Sequence, residues 1–202
     1  MKNTVFAGIL AATIVAIFPS IAGAQTTVLT EAEKAGIILM REEEKLARDV
    51  YLELYYTWKI PVFANIAASE QTHMDAMKNL IAQFGLADPV KSDELGAFTS
   101  RELAGLYKEL ITFGNTSAES AVIVGARIEE LDIADLMRLI GGTKNTSIIS
   151  VYENLLKGSR NHLRSFSGQF ARYGTVFKPE YISPELYQQI IRSPREQGPY
   201  AN

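Results

Sequence analysis

Two side chains able to hold a cation interrupt an otherwise apolar seam in the stretch FANIAASEQTHMDAMKNLIAQF, residues Phe63 to Phe84. Alternate steps of three and four from Phe63 reach Ile66, Glu70, His73, Met77, Leu80 and Phe84, one stripe of a helix. Glu70 and His73 stand at Glu-x-x-His spacing, which aims a carboxylate oxygen and an imidazole nitrogen from adjacent turns at one point. That pair is a candidate half-site for a metal ion.

Three further stretches repeat the pattern. One stripe runs Ile37, Met40, Glu44, Ala47, Tyr51, Leu54, Trp58, a second Ala118, Val122, Gly125, Glu129, Asp132, Leu136, Leu139, and a third Ile148, Tyr152, Leu155, Ser159, His162, Phe166. Each apolar seam is broken near its middle by acids, a serine or a histidine, so four such helices would enclose a polar layer. Burying Glu44, Glu70, Glu129 and Asp132 costs several kcal/mol per uncompensated ion, roughly. Bound cations remove that cost. The chain has two histidines, and both fall on these stripes. A site of oxygens and imidazoles without sulfur suits iron or manganese, with zinc less suitable and copper less again.

The elements that must position these residues follow from caps and breakers. Thr30 and Glu33 read as a capping box opening a first helix to about Trp58, and Pro61 opens a second that ends at Gly85. Leu86 to Phe98 reads as loop, then Thr99 and Glu102 as a capping box for a short helix ending near Gly114. Ser117 caps a third main helix that stops at Gly141-Gly142, and a fourth is expected from about Ser147 to Tyr173. From Thr175 a Pro- and Tyr-rich arm follows, with one short helix at Ser183-Pro184. The expected architecture is therefore all-α: a ferritin-like four-helix bundle with a short extra helix in the crossover between helices two and three. If the first two helices are antiparallel, Glu44 and Glu70 lie 16 and 10 residues from a turn near position 60. That offset is roughly 9 Å at ~1.5 Å per residue, and His73 is closer to level with Glu44.

Length and charge suit one globular domain: 202 residues, 47% hydrophobic, formal charge −3, no cysteine. Nothing is basic enough to suggest nucleic acid, and thiolate ligands and disulfides are excluded. Residues 1–24 read as a signal peptide, with Lys2, an apolar run from Val5 to Phe18, and Ala22-Gly23-Ala24 before Gln25. The run is shorter than the ~20 residues of a membrane span, so no membrane attachment is expected after cleavage. The expected organisation is a signal at 1–24, a bundle domain at 25–174 and an arm at 175–202. The protein is expected to be exported, periplasmic or extracellular, with a mature charge of −4 once Lys2 is removed. The sequence leaves the oligomeric state open, a homo-oligomer included.

The phrases MREEEKLARDVY, FANIAASEQTHM, IEELDIADL and GSRNHLRSF resemble the ferritin-like di-iron carboxylate superfamily, with the rubrerythrin and manganese-catalase branches as analogies. More narrowly, they resemble an uncharacterised ferritin-like family of bacteria and archaea known only as a domain of unknown function. The resemblance spans about Thr30 to Tyr173. It implies Glu44, Glu70, His73, Glu129 and His162 as ligands of one or two metal ions, and oxygen or hydrogen peroxide as reaction partners. It also exposes a departure, because Ser159 stands where such proteins usually carry a bridging carboxylate. Asp132, one turn from Glu129, either substitutes as a ligand or orients an imidazole.

The remaining polar residues have two readings each. Tyr51 and Tyr152 lie seven residues from Glu44 and Ser159, and each is either a hydroxyl partner of a ligating carboxylate or a packed ring. Arg48 is expected to pair with an acid behind the ligands. Glu42 and Glu43 are read as surface, and of the adjacent Glu129 and Glu130 the stripe selects Glu129. Two other functions stay open: metal sequestration without turnover, and a structural bundle without metal.

Overall fold

The computed structural model describes residues 28–198, so the expected signal at 1–24 lies outside the described residues. These fold into six α-helices: α1 (Glu31–Trp58), α2 (Pro61–Gln83), α3 (Arg101–Gly114), α4 (Ala118–Gly141), α5 (Thr146–Ser167) and α6 (Pro184–Arg192). No strand occurs among them, and no described helix is long and apolar enough to cross a membrane.

Local chemistry sets the ends of the helices. Glu33 N–H donates to Thr30 Oγ1 at 3.2 Å while Thr30 N–H donates to Glu33 Oε2 at 2.8 Å, closing the reciprocal cap of α1. Only Lys59 and Ile60 separate α1 from α2. Lys59 takes the left-handed conformation at φ 54°, and Pro61 then supplies a first helical residue with no N–H to satisfy. At the end of α2, Gly85 sits at φ 64° and Leu86 N–H reaches the Ile81 carbonyl at 3.0 Å, the bond pattern that needs a left-handed residue.

Two boundaries differ from expectation. The cap of α3 is Ser100, whose Oγ accepts from Leu103 N–H at 3.2 Å, and not Thr99. Glu42 of α1 accepts the N–H groups of both Thr99 and Ser100, which shifts the helix start by one residue. The fourth main helix, α5, ends at Ser167 instead of Tyr173. A 3-10 turn, Phe170–Arg172, turns Phe170 inward, where its ring stacks on Phe177 of the arm at 5.3 Å.

The α1–α2 and α4–α5 pairs pack most extensively, α1 and α4 also meet, and α2 meets α5, so four helices surround one core. Helix α3 rides in the crossover against α1 and α4, and α6 packs on α5. Tyr51, Phe63 and Phe166 form an aromatic cluster with centroids 5.2 to 6.1 Å apart. Every stripe position named above is buried or half-buried.

Helix α1 is covered on its outer side too. The crossover loop and α3 cover Arg41, Glu42, Lys45, Arg48 and Asp49, Glu43 is buried facing Asp135 and Arg138 of α4, and the arm covers Glu130 of α4. Glu42 and Glu43 are therefore not surface residues, and Glu130 is buried as well. Glu42 caps the crossover as described, and Glu130 accepts from the backbone N–H groups of Glu180 and Tyr181 at 2.9 to 3.3 Å.

Candidate metal centre

The four broken stripes converge on one layer. Helix α1 brings Glu44, α2 brings Glu70 and His73, α4 brings Glu129 and Asp132, and α5 brings Ser159 and His162. Two trios result, Glu44 with Glu70 and His73, and Glu70 with Glu129 and His162, each with donor atoms all within 4.8 Å of one another. Glu70 belongs to both. Its Oε2 lies 2.8 Å from His73 Nδ1 and its Oε1 lies 2.8 Å from His162 Nδ1. Outside this bridge, Glu44 Oε2 lies 3.1 Å from His73 Nδ1, and Glu129 Oε2 lies 3.4 Å from His162 Nδ1. The helical offset between Glu44 and Glu70 is thus resolved by His73, which stands opposite Glu44 while Glu70 reaches the second trio.

Neighbouring side chains hold these groups in place. Tyr51 donates its hydroxyl hydrogen to Glu129 Oε1 at 2.5 Å. His162 Nε2 lies 2.9 Å from Ser69 Oγ, so a ring that offers Nδ1 to the layer can donate from Nε2 to Ser69. The two imidazoles stack at 5.5 Å and 28°. His73 lies against Gly158 of α5, where a Cβ would come within 2.4 Å of the ring, so only glycine leaves the space. Sequence reasoning missed Ser69 and Gly158. Ser69 lies off the stripe and gave no signal, while Gly158 could have been noticed as the smallest residue beside Ser159.

Asp132 touches no imidazole. Ser159 donates its hydroxyl to Asp132 Oδ2, and Asp132 Oδ1 is buried without a partner. Glu44 Oε1 is likewise buried and unpartnered, and both acids line one small cavity with Glu43, Glu70 and Glu129. Two expected supporting residues lie elsewhere. Arg48 pairs with Asp49 at 2.8 Å and Asp93 at 2.7 Å and contacts Gln71, so it anchors the crossover and not a ligand. Tyr152 lines a separate cavity with Glu33 and Arg138, because a seven-residue step carries its ring two turns from Ser159 towards the start of α1.

Protons balance the charge of the layer when no cation does. Burial pushes the Glu44 and Glu129 carboxyls up to about 7, with His73 and His162 respectively offsetting part of the rise. Burial also raises Asp132 well above the ordinary range, and the Glu44 charge adds to it. Burial opposes the charged imidazoles, but Glu70 and Glu129 push His162 up to about 10, and Glu44 and Glu70 raise His73 well above its ordinary value. Glu70 is held low despite burial because imidazolium groups face both of its oxygens. Four buried acids, two of them with an unpartnered oxygen, and two imidazoles in one layer fit the donor set of a hard or borderline divalent ion.

Residues 33–194 match the family described as an uncharacterized protein domain, DUF2202. The chain belongs to this family. It is 54% identical over 170 residues to the uncharacterized protein MJ0754 of Methanocaldococcus jannaschii, covering 84% of this chain and 92% of that protein. The crystal structure of the hypothetical protein MJ0754 superposes with a TM-score of 0.82 at 53% identity, over 84% of this chain and 97% of that one. Over the shared length the family fold is thus the helical bundle described above.

Proposed function

We propose that this DUF2202 protein is an exported, ferritin-like metal protein whose two trios hold a pair of iron or manganese ions, which react with dioxygen or hydrogen peroxide. The observation that carries the reading is Glu70, a fully buried carboxylate facing a histidine nitrogen at 2.8 Å with each of its oxygens. Its position suits a bridge between two cations, with Glu44 and His73 serving one and Glu129 and His162 the other. Asp132, presented by Ser159 and bearing a free oxygen, offers from α4 the acid that Ser159 lacks on α5. The bound metal would supply the one-electron chemistry that side chains cannot. Tyr51 holds the orientation of Glu129, Ser69 that of His162, and Gly158 gives His73 its place. Zinc fits the donors less well than iron or manganese. The two close helix pairs joined by a long crossover support the ferritin-like relationship. Export rests on the sequence of residues 1–24.

Elemental analysis of the protein purified from its native compartment, and after refolding with iron(II) or manganese(II), tests the proposal. About two ions per chain are expected. Fewer than about a tenth of an ion per chain at saturating metal would overturn it.

A further inference from the structure

A cavity adjoins the layer on one side. The stacked imidazoles, backed by Ser69 and Gly158, occupy the α2–α5 side, and the cluster of Tyr51, Phe63 and Phe166 packs against Glu129 through Tyr51. Between α1 and α4, by contrast, lies the cavity lined by the acids that carry unpartnered oxygens. Ile128 and Leu131, each immediately before an acid of the layer, line this cavity. The same two side chains also line a pocket of about 360 Å³ bounded by α3, α4 and the arm. Ile128 is buried and Leu131 half-buried, so the partition between pocket and carboxylates is made of two aliphatic side chains.

The larger pocket is mostly apolar, with Leu106, Leu110 and Phe113 on the α3 side. Arg127 spans its rim, donating to Glu180 Oε1 at 2.7 Å and lying 5.3 Å from the Phe113 ring centre. We propose that this pocket is the entrance chamber of the centre, through which the small, uncharged co-reactant passes between Ile128 and Leu131. An apolar chamber favours dioxygen over hydrated ions, because a charged solute would have to shed its water there. Helix α3 and the arm then serve as the outer walls of the route. This inference rests on the metal reading above.

The test uses the full-length mature protein loaded with iron(II), with nitric oxide as a neutral, dioxygen-sized probe followed by stopped-flow absorbance. Leu131→Trp fills the partition and is expected to slow nitric oxide association about tenfold at unchanged iron content. Leu131→Ala is expected to speed it. Met137→Trp, an exposed position of α4 that does not line the chamber, is the control and should leave the rate unchanged. If Leu131→Trp loads with iron yet associates at the unmodified rate, or if the control slows equally, the route is wrong while the centre stands. If Leu131→Trp fails to load, the alanine variant decides, and an unaltered rate overturns the route. An unmodified protein that holds no iron removes both centre and entrance.

Discussion

Two clusters of buried charged residues, one on each side of α1, are satisfied in opposite ways. On the outer side of α1, Arg41 meets Asp88 at 3.0 Å, Arg48 meets Asp49 at 2.8 Å and Asp93 at 2.7 Å, and Lys45 meets Asp49 and donates to the Glu94 carbonyl at 2.8 Å. Every cation there has an anion from the same chain. On the inner side, a turn or less away, four acids share two imidazoles and two carboxylate oxygens are left over. The contrast separates two uses of buried charge. The outer clamp fastens the crossover and is complete in itself, whereas the inner layer has more acids than cationic partners and two carboxylate oxygens without a partner.

Breaking the clamp should have the largest effect. Asp49→Ala leaves Lys45 and Arg48 buried with one anion fewer, and a loss of about 3–5 kcal/mol is expected in denaturant unfolding. The double change Glu70→Ala, His73→Ala should leave the metal-free protein as stable as before or more so, while abolishing metal binding. If the double variant instead loses as much stability as Asp49→Ala without metal, the inner layer is structural and the contrast collapses.

Acidity sharpens the comparison next. Glu44 and Glu129 titrate at about 7 in the fold against an ordinary 4.5, so the folded chain holds these protons more tightly and loses stability as pH rises from 4.5 through 7. His162, raised to about 10, contributes fully below 6.5, and that contribution fades as pH rises towards 10. Both shifts act in one direction, and the lowered Glu70 opposes them only at the acid end. Metal-free protein should therefore melt at progressively lower temperature from about pH 5 to about pH 9, and manganese should flatten the trend by replacing the protons. A melting temperature that rises over this range without metal would contradict the assignment.

The smallest effect concerns one methyl group. Gly158→Ala places a carbon within 2.4 Å of the His73 ring and must displace it. Metal affinity is expected to fall about tenfold, as for a lost supporting contact, with little change in metal-free stability. Titration of both proteins with cobalt(II) would show it, and equal affinities would mean that the ring position does not matter.

The stripes with polar interruptions were legible because helical periodicity alone decides which residues share a face, and Glu44, Glu70, His73, Glu129 and His162 do meet in one layer. Burial of the opposite faces was not legible. Glu42 and Glu130 look like solvated neighbours within α1 and α4, and only the crossover and the arm, which arrive from far along the chain, cover them, while Glu43 is buried against α4 at Asp135 and Arg138. Periodicity gives no sign of the Arg48 partner Asp93 for the same reason, since that acid belongs to a loop without periodicity. The end of α5 is hidden because Phe170 continues the helical spacing, and its stacking on Phe177 depends on how the arm folds back.

Glu130 holds the arm by backbone amides of residues 180 and 181, not by their side chains. A substitution at position 181 therefore leaves this hold intact, and one at position 180 removes only the Arg127 ion pair, so the rim of the pocket between α3, α4 and the arm can be recharged while the backbone stays fastened.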